Sequence, residues 1–167
     1  MCKVDEIQKL TEYFKALGAD DPNSWAESEV NEGIPQYARF VFVKAAWKAV
    51  IEKDNFHWMD NLIRQSERNP NDPCSAAGAV LKRMLAAGVS KEDMTDLVRA
   101  MQYDVLFSLC YLLSDTSVAD YPTDSLPRVN WALMQLNEEG EPIGVIGGLH
   151  EYVLSLDPTG REMGPRS

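Results

Sequence analysis

Two histidines, three cysteines and a cluster of C-terminal glycines are the features of this 167-residue chain that invite a chemical reading. His57 stands in the pattern Asp54-x-x-His57-x-x-Asp60. Carboxylates and an imidazole at that spacing form a plausible metal set on a helix. Only one histidine is present, however, and Asp54 falls ahead of the predicted helix. Polar neighbours at i, i+3 are also what any solvated helix face offers. The solvated face is the better reading: no metal is expected, and His57 and Asp60 are the positions to inspect. His150-Glu151 follows Gly147-Gly148 at a predicted helix start. Bared amides there favour an anion, and His150 is the titrating group that acid–base chemistry would use. Adjacent residues on a helix point about 100° apart, so His150 and Glu151 do not form a natural dyad. Glu151 near a helix start is already explained by the helix dipole.

The remaining motifs are negative. Gly140, Gly144, Gly147 and Gly148 match neither the dinucleotide fingerprint nor the phosphate-binding loop. Tight turns and bulges account for them. No G-x-S-x-G elbow is present. Cys2, Cys74 and Cys110 form an odd, scattered set without a C-x-x-C pair. That argues against a disulfide framework or a zinc site and fits a reducing compartment. No cofactor is expected.

Charge separates the function classes further. The net charge of −10 is uneven: residues 16–38 carry Asp20, Asp21, Glu27, Glu29 and Glu32 with no base, and 100–167 hold ten acids against three arginines. Such a chain repels phosphate backbones, which speaks against nucleic acid, and would steer a basic protein partner. Acidity that only keeps the protein soluble is the competing explanation. The N-terminus is charged at once and lacks a signal-like apolar core. The longest near-apolar run, 105–113, is half of the roughly 20 residues a membrane span needs. A cytoplasmic protein without membrane association is expected.

Apolar spacing predicts helices over 4–17, 24–33, 35–53, 55–68, 75–87 and 90–114. Ser24-Trp-Ala-Glu27 reads as a capping box, and Pro35 suits a first turn. In the longest helix Met94, Leu97, Val98, Met101, Val105, Leu109 and Leu112 are assigned inward, and its second half, apolar on most sides, is assigned to the core. Residues 115–128, with two prolines, form the longest connection, a surface loop or flap. The pattern then changes: 129–136 and 143–148 are apolar runs around Asn137-Glu-Glu-Gly-Glu-Pro142, a β-hairpin signal. A short helix follows. The expectation is a mainly α fold: an irregular bundle of five or six helices with a small C-terminal hairpin at about 129–148 and a short helix after it. It forms one domain over 1–157, with a frayed tail over 158–167.

Small, acidic chains without motifs resemble toxin-neutralising (immunity) proteins and related inhibitors or adaptors. That resemblance implies docking on a basic protein partner. Asp20, Asp21, Glu27, Glu29 and Glu32 would steer it, and Trp25, an aromatic ringed by charge, would anchor it. Two alternatives stand beside this reading. One is a small enzyme or ligand-binding domain with its pocket near the hairpin and His150; the other is a homodimer or larger homo-oligomer built on the hairpin edge or an apolar helix face.

Overall fold

The computed structural model of the chain describes residues 2–120 and 126–164. It is mainly helical. The order is α1 (Lys3–Ala16), α2 (Pro22–Glu32), α3 (Gln36–Ala46), a 3₁₀ turn (Trp47–Ala49), α4 (His57–Arg68), α5 (Ala76–Ala86) and α6 (Lys91–Ser114). A second 3₁₀ turn (Thr116–Val118), strands β1 (Met134–Leu136) and β2 (Pro142–Val145), and the short α7 (His150–Val153) complete it. Within the 115–128 connection, 121–125 lie outside the described residues, as do 165–167 of the tail. Among the described residues no helix is long and apolar enough to cross a membrane. The chain divides into two compact units, one of Met1–Trp47 with Leu106–Ser167 and one of Lys48–Val105.

The first unit is organised by aromatic side chains. Phe14 of α1 is fully buried, with Ala26 of α2 and Phe40 of α3 beside it. Trp25, Tyr37 and Phe40 surround the Phe14 ring at centroid distances of 5.8, 5.6 and 5.5 Å, the last two edge-on. Edge-to-face packing suits the ring quadrupoles and adds to the burial gain. The α3 end is tied to α7 by the Trp47 indole, whose Nε1 donates to the Val153 carbonyl at 2.9 Å within the core. Helix α2 begins earlier than its capping-box reading implies. Asp21 is the N-cap, its carboxylate accepting from Ser24 N at 3.2 Å, and Pro22 takes the first helical position. Proline is favoured there because its missing N–H has no intrahelical partner.

The hairpin is antiparallel, pairing Met134 with Val145, Gln135 with Gly144 and Leu136 with Pro142, with an irregularity between Gln135 and Leu136. Asn137 closes its turn: its side-chain oxygen accepts from Glu141 N at 2.8 Å, and its own N–H donates to the Glu141 carbonyl at 2.9 Å. Gly140 adopts φ +84°, which a side chain would strain. Beyond α7 the buried Asp157 carboxylate accepts from Thr159 N, Thr159 Oγ1 and Met163 N at 3.1, 2.6 and 3.0 Å. The stretch expected to fray is thus gathered around one carboxylate as far as Met163.

In the second unit Met59, Leu81 and Met94 form the buried centre, with Trp58, Leu62, Ile63, Met84 and Leu85 packed around it. A buried Thr95 hydroxyl accepts from Trp58 Nε1 at 3.2 Å and donates to the Lys91 carbonyl at 2.8 Å. The helix read as 35–53 stops sooner. Ile51's amide donates to Gln102 Oε1 at 2.9 Å, and its carbonyl accepts from the buried Arg99 guanidinium. Gln102 takes the Ile51 amide that a helix to residue 53 would have paired within itself, and Arg99 satisfies a carbonyl in what would have been the last turn of that helix.

The inward assignment of α6 is corrected most. Met94 and Cys110 are buried, but in the second unit Leu97, Met101 and Val105 are 56, 61 and 59 % exposed. In the first unit Leu109 and Leu112 are exposed as well. Periodicity locates an apolar stripe; it does not say that a partner within the chain covers it.

Helices α4 and α5 approach closely at Gly78. A methyl group there would come within 2.4 Å of Ser66 Oγ and 3.2 Å of the Ile63 backbone. Gly78→Ala is therefore expected to destabilise the chain by about 1–3 kcal/mol through overpacking. Ser66→Gly in the same chain should recover most of that loss. Urea denaturation of the four members of the cycle measures both, and an undisturbed midpoint for Gly78→Ala would refute the close approach.

Candidate functional site

The acids expected to meet a partner divide by what their carboxylates do. Asp21 caps α2, and Glu27 accepts from Asn23 Nδ2 at 2.7 Å. Glu29 is half-buried and accepts from Tyr37 N at 2.6 Å, which fixes the start of α3 against α2. Burial pushes the Glu29 carboxyl above its ordinary range and the Glu6 charge adds to the rise, while the Tyr37 bond opposes it. Asp20 and Glu32 are exposed. No carboxylate of α1, α2 or the turn between them forms an ion pair among the described residues.

Three bases of this unit are engaged elsewhere. Lys44 Nζ donates to the Leu17 carbonyl at the end of α1 and lies 6.0 Å from the Phe40 ring centre, and Lys9 sits 5.6 Å over Tyr13. A lysine at a helix C-terminus is favoured by the dipole. Arg39 donates to Tyr152 OH at 3.0 Å. Seventeen acids against eight bases belong to the first unit, and nine against eight to the second. Nearly all the net charge of the chain therefore belongs to one unit, where among the described residues no carboxylate of the α1–α2 region is neutralised by a salt bridge.

Trp25 does not stand out among the acids as an open anchor. Its indole packs against Phe14, Phe40 and Tyr152 at 5.8, 5.3 and 5.1 Å, so its apolar surface serves the core. Apolar surface that is open lies instead on the hairpin. Met134, Leu136, Ile143 and Val145 are 38, 55, 60 and 56 % exposed, and Glu138, Glu139 and Glu141 of the turn are exposed beside them. The alternation of 134/136 and 143/145 carries this signal in the sequence, but alternation does not reveal which face is covered.

His150 and Glu151 face different surroundings. The His150 ring meets Tyr111 and Phe107 edge-on at 4.6 and 5.8 Å. Its Nδ1 is buried without a hydrogen-bond partner. Phe107, Tyr111 and Asp115 recur at i, i+4 and i+8 on the end of α6, and Ser114 Oγ accepts from Leu149 N at 3.0 Å. Asp115 is held below the usual carboxylate range chiefly by its hydrogen bonds from Ser117, with smaller help from Tyr111 and the His150 charge. These contacts dock α7 on α6. The exposed Glu151 lies by Gly148 near Arg39 instead.

His57 is exposed, and its backbone amide donates to Asn55 Oδ1 at 3.0 Å. The Asp60 carboxylate lies 4.0 Å from Lys91 Nζ. Among the described residues no group of three or more His, Cys, Asp or Glu is placed to hold a metal ion. A groove of about 440 Å³ runs between α4 and α5, lined by Ile63, Ser66, Pro70, Ser75 and Lys82 among others. None of its lining residues belongs to the hairpin or to α7. Comparison with protein-family models, with curated proteins and with solved structures finds no match.

Glu29 gives the acidic region a pH signature. Its ionised form is disfavoured in the fold, so that cost is absent below the ordinary value of 4.5 and complete above the raised value. Stability from this group therefore falls as pH rises through that window. Glu29→Gln keeps an acceptor for Tyr37 N and removes the charge. It is expected to raise the melting temperature at pH 7 by about 1–3 °C and to leave it unaltered at pH values below the window. Equal shifts at both pH values in thermal melts would contradict this origin.

Proposed function

We propose that the chain is a protein-binding module, of the inhibitor or adaptor kind, whose acidic unit docks a basic protein partner. The observation that carries this reading is the segregation of charge. Nearly all of the net negative charge lies in one unit, and among the described residues the carboxylates of its α1–α2 region form no ion pairs. The 16–38 stretch holds five acids and no base; carboxylates left unpaired keep their field, and that field raises the encounter rate with a cationic surface. Within the base-free 16–38 stretch, Asp20, Glu27 and Glu32 are exposed without holding a helix end, whereas Asp21 and Glu29 hold helix ends. Trp25 supports this surface from beneath as part of the core.

The test is capture of partners from the source lysate by the immobilised chain at low salt, followed by association kinetics with the purified captured protein. The on-rate is expected to fall about tenfold or more between roughly 0.01 and 0.1 M ionic strength, where the screening length shrinks from about 30 to 10 Å. The combined variant Asp20→Lys, Glu27→Lys and Glu32→Lys should slow association at low salt and flatten that dependence. An on-rate indifferent to salt and to the three reversals, or the lack of any basic partner, rejects the reading.

A further inference from the structure

We infer that the exposed face of the β1–β2 hairpin seats a basic, apolar-faced extended segment of the partner. The inference rests on the protein-binding reading and assigns the surface that locks the complex after the acids have steered it. The hairpin combines two features within a dozen residues. Leu136, Ile143 and Val145 are each more than half exposed, and Met134 opposite Val145 is 38 % exposed. Four such side chains on one short sheet amount to an apolar patch on the order of a few hundred Å², the size of the largest patch on a typical monomer, which is often functional. Glu138, Glu139 and Glu141 form an exposed acidic tip at its end.

An apolar centre beside charged groups that stay in water is how interfaces are built. The charge identifies the occupant. A segment with Lys or Arg towards the tip and apolar residues over Leu136 and Ile143 complements both features, and an acidic or purely apolar segment complements one at most. A second copy of the chain is disfavoured, because it would bring together two units that each hold seventeen acids and eight bases. Geometry favours an extended segment. Among the described residues the sheet has two strands, so each strand has an outer edge, and an added strand places alternate side chains on the apolar face.

The full chain would be titrated at low salt with a labelled peptide of about ten residues alternating Lys and Val, enough to span a strand. A peptide of the same composition with its lysines and valines in separate blocks is the control. The alternating peptide is expected to bind about tenfold more tightly than the block peptide, and Leu136→Ser with Ile143→Ser should remove that advantage. Glu138→Gln with Glu139→Gln should weaken it by several-fold, and hydrogen exchange of the unaltered chain should show peptide-dependent protection at 134–145 without any substitution. Equal binding of both peptides, or no protection at 134–145, overturns the hairpin seat. If the Asp20, Glu27 and Glu32 reversals still weaken peptide binding in that case, the acidic-module reading survives alone. Failure of both peptides to bind overturns the hairpin seat, and the acidic-module reading then stands or falls on the partner-capture experiment.

Discussion

The burial of Phe14 is the constraint on which the first unit depends. One ring from α1 meets Trp25 of α2 and both Tyr37 and Phe40 of α3, and Trp25 in turn meets Tyr152 of α7. Three consecutive helices and the distant α7 share one aromatic cluster. Full burial of such a ring contributes about 1.5–3 kcal/mol by transfer alone, and its neighbours are fixed by shape as much as by area. The α3 indole bond from Trp47 to Val153 adds direction, because a buried N–H must find an acceptor. With that cluster in place, α1 and α2 hold their carboxylates on the outside, the half-buried Glu29 excepted.

The acids are thereby sorted. Asp21 and Glu29 stabilise helix ends at the cost of being partly committed, Glu29 to the extent that its own ionisation is opposed. Asp20 and Glu32 carry no such duty and contribute field alone. Lys44 and Lys9, which a charge count would place opposite these acids, go to a carbonyl and to aromatic rings. The electrostatic character of the unit follows from where its cations are held as much as from how many acids it has.

Much of the architecture was legible because helices and hairpins write local signals. Gly18 and Gly88 end helices at positive φ, Ser90 caps α6 through Asp93 N, and the Asn-Gly-Pro turn marks the hairpin. What was not legible is non-local. Nothing in 35–53 announces that Arg99 and Gln102 take the backbone of Ile51. Trp25 amid acids looks like an anchor until Phe14 and Tyr152 are placed against it. Leu97, Met101 and Leu109 have the spacing of a buried stripe, and spacing is identical whether the covering surface comes from the same molecule or from another. The hairpin was visible for the same reason that its open face was not: alternation defines two faces and leaves their environments to tertiary structure.

The exposed leucines and methionine of α6 bear on how the protein behaves as a solute. Surfaces of that kind attract one another, and at neutral pH the charge of −10 keeps the molecules apart. Near the isoelectric point of about 4.6 the repulsion vanishes while the apolar stripe is unchanged. Colloidal dispersion, and with it the concentration the chain can reach before it precipitates, is thus controlled by the carboxylates rather than by the fold that carries them.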